Sequence, residues 1–163
     1  MKPGLFHITL SMIRIKGDAG IEEAKQLMAD IKEDFDRIIK SQQCSLVVND
    51  IDTFGQRVLY AKVKPDPIDI YDNIYAMVQN RLGMGKNISS TNRFQSIPHM
   101  TIVKVSRPVA RLRNSKYLPS SLYENFRGSN FGVQPLNNLK LCLIDAETGC
   151  DGFYETIQSI DFN

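Results

Sequence analysis

The chain has 163 residues, of which 42% are hydrophobic and 23% charged, with a formal net charge of +2 and no Trp. These proportions suit one globular domain with a sizeable core, and they exclude a disordered, collagen-like or coiled-coil chain. No run approaches the roughly 18 apolar residues of a membrane-spanning helix, and the N-terminus lacks the pattern of a signal peptide. We therefore expect a soluble protein of the cytoplasm or the nucleus.

Strands and helices alternate along the chain in the predicted secondary structure. Apolar residues recur at three- and four-residue steps between Ile21 and Ile39, which predicts an amphipathic helix after a first strand over 6–15. Further predicted elements are strands at 45–48 and 57–63 joined by a turn, a helix over 70–82, a loop over 83–97, a strand over 99–106 ended by Pro108, a short helix near 120–126 and a hairpin of 139–146 with 153–160. This order predicts a single α+β domain over residues 1–163 with mixed or mostly antiparallel sheets.

The three cysteines, Cys44, Cys142 and Cys150, are an odd number. Their spacings match neither a disulfide framework nor a metal site. We expect them to be reduced and mostly buried, as free cysteines commonly are.

Positive charge is concentrated in the middle of the chain. Residues 73–123 contain eight Lys or Arg and no Asp or Glu, whereas acidic residues outnumber basic ones in the rest of the chain. Such a block can be a solvated face, or it can be the electrostatic footprint of a phosphate-bearing partner. Both interpretations stay open, and the second gains weight because the block surrounds one of the two motifs described next.

The two histidines of the chain, His7 and His99, begin the same four-residue pattern. Each is followed two positions later by a threonine, Thr9 or Thr101, and then by an aliphatic residue, on a predicted strand. Residues two apart in a strand share a face, so each imidazole projects together with its threonine hydroxyl. One histidine at a strand start is more commonly structural, but the repeated pattern favours a shared groove with two imidazoles and two hydroxyls.

That set of groups suits the cleavage of a phosphodiester. The ordinary imidazole pKa of about 6.5 allows one ring to accept a proton while the other, as imidazolium, protonates the leaving oxygen. The threonine hydroxyls can donate hydrogen bonds to the non-bridging phosphate oxygens as charge builds there. This chemistry needs no metal or other cofactor, and we expect none.

The paired motifs resemble those of the two-histidine (2H) phosphoesterase superfamily. The segments FHITL, IDTFGQRVLYAKV, PHMTIVKVS, SLYENFRGSNFG and LCLIDAETGCDGFYETI resemble, in order, the nucleotide-binding branch found in kinase-anchoring proteins. The resemblance covers nearly the whole chain. It implies a bilobal, LigT-like fold with the motifs facing each other across a central cleft that binds 5′-nucleotides and cleaves 2′,5′-linked oligoadenylate.

The resemblance also implies roles for individual residues. His7 and His99 would form the acid–base pair, in either assignment of the two roles, and Thr9 and Thr101 would bind phosphate. Phe131 falls where the family places an aromatic ring over the base, and stacking suits it because every base has a π-face.

Other residues near the motifs have weaker claims. Phe131 has an alternative interpretation as a core aromatic residue after the short helix. Arg93 and Arg107 flank the second motif strand and are candidates for contact with nucleotide phosphate, whereas Phe54 is expected to shape a turn beside the cleft.

The chain departs from the family at its N-terminus. Family members usually carry a strand and a helix before the first motif, whereas only six residues precede His7. Two interpretations stay open: the sequence is an N-terminally truncated form of the domain, or this lobe is reduced. Either would leave a sheet edge open to a protein partner or to a homodimer.

Three functional hypotheses follow. The first is a metal-independent phosphodiesterase acting on RNA-type linkages, either 2′,5′-oligoadenylate or a terminal or cyclic phosphate. The second is a nucleotide- or RNA-binding module that uses the same cleft without turnover. The third is a scaffold domain in which the motifs are relics.

Overall fold

The fold combines α-helices with antiparallel sheets, which confirms the predicted α+β class. The structure, a computed structural model, describes residues 3–38, 43–91, 97–148 and 152–162. Within these ranges the strands are β1 (Ile13–Ile15), β2 (Ser45–Phe54), β3 (Val58–Asp66), β4 (Ile88–Ser90), β5 (His99–Lys104), β6 (Asn130–Pro135), β7 (Asn138–Thr148) and β8 (Tyr154–Asp161). The α-helices are α1 (Gly17–Ile38), α2 (Ile68–Gly83) and α3 (Arg107–Leu112), and short 3-10 helices lie at Pro3–Leu5, Ser120–Leu122 and Glu124–Phe126.

The strand pairs of the described residues are all antiparallel. The main sheet has the spatial order β5-β3-β2-β6, while β1 pairs with β4 and β7 pairs with β8. An isolated antiparallel bridge joins Ile8 to Met100 of β5. Because β5 is an edge strand of the main sheet, this bridge brings the N-terminal segment alongside that edge.

The main core lies between the main sheet and the two long helices. Side chains of α1, α2, β2 and β3 form one buried cluster, in which Ile31 and Ile74 are 0% exposed. Burying a side chain of this size contributes about 1.5–3 kcal/mol. The guanidinium of Arg81 in α2 also lies 2.6 Å from the carboxylate of Asp34 in α1. The predicted helical periodicity therefore identified the faces that pack against the sheet.

A second, smaller core holds the segment that follows β5. Ile51, Val105, Leu118 and Tyr123 are buried there, and Ala110 of α3 packs against them. This cluster attaches residues 105–123 to the main sheet near the turn between β2 and β3.

The first predicted strand differs from the structure, because only Ile13–Ile15 of the segment 6–15 is a strand. The carbonyl of Leu10 accepts a hydrogen bond from the Gln79 side chain at 3.2 Å, and that of Met12 accepts one from the Thr91 amide at 2.9 Å. Hydrogen bonds to a helix and a loop thus hold this irregular backbone in place.

Four other elements were predicted incorrectly. The loop expected over 83–97 contains β4, a three-residue strand that pairs with β1. The turn expected between the second and third strands is largely part of β2, which accommodates Asp50 as a bulge with φ 53°. The strand β6 was not predicted, and no element was assigned between the short helix near 120–126 and the final hairpin. The helix α3 was missed because Pro108 was taken only as the end of a strand, whereas proline is favourable in a first helical turn after a capping residue, here Ser106.

The cysteines agree with the prediction where they are described. Cys44 is buried, and burial raises the pKa of its thiol. Cys142 is partly buried, and Cys150 lies outside the described residues. No helix within the described ranges has the length and apolar character needed to cross a bilayer.

Candidate active site

The two histidine motifs lie on neighbouring backbone segments. Ile8 and Met100, the second residue of each motif, are paired by the antiparallel bridge. The side chains of both pack against the main core. Because side chains alternate between faces of extended backbone, the histidine and threonine of each motif lie on the opposite face.

The antiparallel register determines how the four polar side chains are arranged. One position either side of the Ile8–Met100 pair, His7 lies opposite Thr101 and Thr9 lies opposite His99. The two histidines are then diagonal neighbours, a relation that typically separates residues by about 7–8 Å. All four side chains are half-buried. The structure therefore brings the four predicted site residues together at one edge of the main sheet.

Each imidazole is held by a backbone carbonyl two residues upstream. Nδ1 of His7 lies 2.8 Å from the Leu5 carbonyl oxygen, and Nδ1 of His99 lies 2.8 Å from that of Ile97. A carbonyl oxygen can only accept, so we assign the proton of each neutral ring to Nδ1. Nε2 is then the atom available to accept a proton in both rings.

Aromatic rings flank both imidazoles in edge-to-face contacts. The His7 ring centroid lies 5.2 Å from that of Tyr154 and 6.3 Å from that of Phe153. The His99 centroid lies 4.9 Å from that of Phe54 and 5.3 Å from that of Tyr60. Such contacts favour a defined ring orientation, so the two halves of the site share the same local design.

Most of these rings were not predicted from the sequence. Phe54 was expected only to shape a turn, and no role was expected for Tyr60, Phe153 or Tyr154. Tyr60 faces the site because its Cα is paired with that of Thr101 across β3 and β5. Only the strand register reveals this relation, and no local sequence signal encodes it.

An open groove of about 1680 Å³ runs along the site. His7, Thr9, Thr101 and Phe131 are among its lining residues, together with core residues such as Met28, whereas His99 is not part of the lining. Pockets for small ligands typically have volumes of about 300–1,000 Å³. The groove is therefore larger than a pocket shaped around one small ligand, and it extends from the motifs to the core residues.

The other residues predicted to bind nucleotide are Phe131, Arg107 and Arg93. Phe131 in β6 is 45% exposed, which is inconsistent with the alternative of a core aromatic residue. Arg107 is exposed at the start of α3, beyond the end of the second motif strand. Arg93 lies outside the described residues.

A charged pair lies next to His99 on the main sheet. Lys62 of β3 is the cross-strand partner of His99, and its Nζ lies 2.9 Å from the Asp50 carboxylate and 3.8 Å from that of Asp52. The hydrogen bond to Asp50 raises the pKa of Lys62. The ammonium is therefore a fixed positive charge beside the motif. The described residues contain no group of three or more His, Cys, Asp or Glu placed to hold a metal ion.

Asp50 also connects this charge to the strand that carries Phe131. Its carboxylate accepts hydrogen bonds from the backbone amides of Gly128 at 2.9 Å and Ile51 at 2.8 Å. These amides, Gly128 first, and the Lys62 ammonium hold the pKa of Asp50 well below its usual range. Asp50 thus ties the entry of β6 to the bulge of β2 and helps to position Phe131.

The antiparallel α+β fold and the two adjacent His-x-Thr motifs define a 2H phosphoesterase-like domain. The family described as the AKAP7 2'5' RNA ligase-like domain matches residues 1–162, and the chain belongs to this family. Human A-kinase anchor protein 7 isoform gamma is 26% identical over 159 residues, which cover 96% of the present chain. The chain spans 45% of the length of that relative.

Proposed function

We propose that this protein is a metal-independent phosphodiesterase that cleaves RNA-type linkages by general acid–base catalysis between His7 and His99. The substrates are 2′,5′-linked oligoadenylate or a terminal or cyclic phosphate. The observation that carries the proposal is the pairing of the two motifs, in which both imidazoles are held through Nδ1. Membership of a phosphoesterase-like family supports the same class of reaction.

The proposed reaction uses the two Nε2 atoms in opposite protonation states. One neutral imidazole accepts the proton of the attacking ribose hydroxyl or water through Nε2. The other, as imidazolium, donates its Nε2 proton to the leaving oxygen, so the proton count of the enzyme is unchanged over the step. Thr9 and Thr101 donate hydrogen bonds to the non-bridging oxygens, which become more negative in the transition state.

The first test separates catalysis from folding at each histidine. In an asparagine substitution, the amide can still donate to the upstream carbonyl, as Nδ1 does, but the group at Nε2 is removed. We expect His7→Asn and His99→Asn each to lower kcat by about 10²–10⁴-fold, the usual contribution of a positioned acid or base. Each Asn variant also loses the two ring contacts of its histidine, about 1–3 kcal/mol of stability, so kcat should be compared at a temperature at which thermal unfolding shows both proteins folded. EDTA should leave wild-type hydrolysis unchanged.

Glutamine is the matched control at the same positions. Its amide reaches the position of Nε2 but does not reproduce the Nδ1 contact, so the glutamine variants should be inactive and also less stable. Hydrolysis should be followed on a panel of 2′,5′-linked, 3′,5′-linked and cyclic substrates. Wild-type protein that cleaves none of them, or an Asn variant with full activity, contradicts the proposal.

The threonines should contribute through their hydroxyl groups. Loss of a hydrogen-bond donor to a developing oxyanion typically costs about 10²–10³-fold in kcat. Thr9→Val and Thr101→Val should lower kcat toward this range, with a smaller change in KM. An unchanged kcat in both variants would remove the threonines from the mechanism.

A second candidate function is nucleotide or RNA binding in the same groove without turnover. The groove volume of about 1680 Å³ and the acid-free stretch 73–123 favour it. It predicts salt-sensitive binding of short RNA with no product formed. Calorimetry with AMP and with an oligonucleotide, combined with product analysis, distinguishes the two functions.

Pairing of an edge strand with a protein partner, or with a second copy of this chain, stays a prediction. Sedimentation of the purified protein over a range of concentrations tests the homodimer directly. A monomer at all concentrations would count against it.

A further inference from the structure

A group of exposed cations lies at the end of β5 and around α3. We name this group the basic ridge; its members are Arg57, Lys104, Arg107, Arg111, Arg113 and Lys116, and each is exposed. They come from three neighbouring parts of the fold, namely the turn before β3, the end of β5 and the segment that contains α3. The ridge is therefore a product of the fold as well as of the local sequence.

The cations of the basic ridge have no carboxylate partners among the described residues. The basic residues that form ion pairs in the described part of the chain are others, namely Lys25, Lys32, Arg37, Lys62, Arg81 and Arg127. Within α3, Arg107 and Arg111 are four residues apart, a spacing at which like charges repel each other. The uncompensated charge is thus available to an external anion.

The position of α3 is set by few but specific contacts. The Ser106 hydroxyl accepts a long hydrogen bond, 3.5 Å, from the Val109 amide at the start of the helix. Pro108 occupies the first turn, and Ala110 packs against the smaller core. These contacts leave the arginine side chains directed away from the core.

The basic ridge is continuous with the groove of the candidate active site. Lys104 lines the groove together with His7 and Thr101. On the other side of β5, the β2–β3 turn links the ridge to the site, since the Phe54 ring contacts His99 and the Arg57 carbonyl accepts a hydrogen bond from the Val105 amide. An anionic chain that leaves the groove past Lys104 would therefore meet the ridge next.

We propose that the basic ridge binds the phosphates of a single-stranded oligonucleotide beyond the nucleotides held in the groove. This inference rests on the proposed function of the groove and extends it, since it makes an oligonucleotide a better ligand than a mononucleotide. The exposed Tyr117 ring, with the Lys116 ammonium 5.2 Å from its centroid, adds a surface on which a base can stack.

The test compares a pentameric 2′,5′-oligoadenylate with AMP on the full chain, using His99→Asn as the background so that the oligonucleotide is not consumed. We expect Arg111→Gln/Arg113→Gln to weaken pentamer binding by about tenfold at 0.15 M salt and to leave AMP binding within about twofold. Two lost phosphate contacts should also reduce the slope of log affinity against log salt by about 1.4. Thermal unfolding of both proteins checks that the fold is retained.

Lys16→Gln/Lys64→Gln is the matched control, because it removes two exposed cations outside the basic ridge. Pentamer binding that is unchanged in the ridge variant, or equally weakened in the control, overturns the proposal. Absence of pentamer binding at low salt also overturns it and points to an acidic protein as the partner. If the proposed phosphodiesterase activity fails, the wild type forms no product from any substrate of the panel, whereas the salt slope of pentamer binding still reports on the ridge.

Discussion

Replacement of Phe54 by alanine tests whether the rings beside His99 orient the imidazole. Phe54 is 39% exposed, stacks on Tyr60 with centroids 4.1 Å apart, and meets the His99 ring edge-on at 4.9 Å. Aromatic pairs of this kind contribute about 0.5–1.5 kcal/mol each beyond the burial of their area. The Phe54→Ala variant should therefore lose about 1–3 kcal/mol in ring contacts.

Only part of that loss should affect catalysis. The contact with His99 accounts for about 1 kcal/mol, which corresponds to a reduction of about fivefold in kcat/KM if it serves to orient the acid–base group. The contact with Tyr60 should affect the free energy of unfolding alone. Phe54→Leu restores apolar volume without the ring, so it should recover part of the stability and little of the activity.

Denaturant unfolding and steady-state hydrolysis measure the two effects separately. Phe126→Ala is the matched control, since Phe126 is 56% exposed and has no ring contact with another described residue. It should change neither quantity appreciably. If Phe54→Ala is destabilised but retains the wild-type kcat/KM, the ring packs against His99 without orienting it, and the reasoning fails.

Three further outcomes can be measured directly. Nitrogen NMR at a pH at which the imidazoles are neutral should show the ring proton on Nδ1 of both His7 and His99. A proton on Nε2 of the neutral ring would refute the assigned hydrogen bonds. Because the folded-state pKa of Asp50 is lowered, its contribution to stability is present above the unfolded-state pKa of about 3.9 and is lost as pH falls below it. Asp50→Asn should thus lower Tm at pH 7, and this deficit should begin to shrink below about pH 4 and disappear only as pH falls through the lowered folded-state pKa, whereas parallel Tm curves would contradict this linkage. Phe131→Leu should weaken AMP binding by about 1–3 kcal/mol, the usual contribution of one stacked base, with little change in Tm. An unchanged Kd would exclude stacking on this ring.

The elements that could be predicted from the sequence are those whose pattern is set by burial on one face. The helices α1 and α2 and the hairpin of β7 and β8 belong to this group, because one side of each packs against a core. The elements that were missed are exposed and short. Nearly all of β6 is solvent-exposed, so it lacks an alternating pattern, and it ends at Pro135, which an edge strand tolerates.

The candidate site was predictable in its residues but not in its surroundings. The repeated His-x-Thr pattern identified four side chains that the bridge of Ile8 with Met100 brings together. In contrast, Lys62 and Tyr60 reach the site only through the register of β3 with β5. Contacts between residues distant in sequence carry no local pattern, and no composition argument reveals them.

The matching surroundings of the two imidazoles bear on the orientation in which a nucleic acid strand binds. Each ring has the same carbonyl anchor and a pair of flanking aromatic rings, so the pair itself presents nearly equivalent ends to a phosphate. A nucleic acid strand is directional, with chemically distinct 5′ and 3′ ends. Any preference for one polarity must therefore come from groups outside the pair, where six exposed cations lie beyond His99 and the described side of His7 offers the Lys140 ammonium, 5.2 Å from the Phe153 ring.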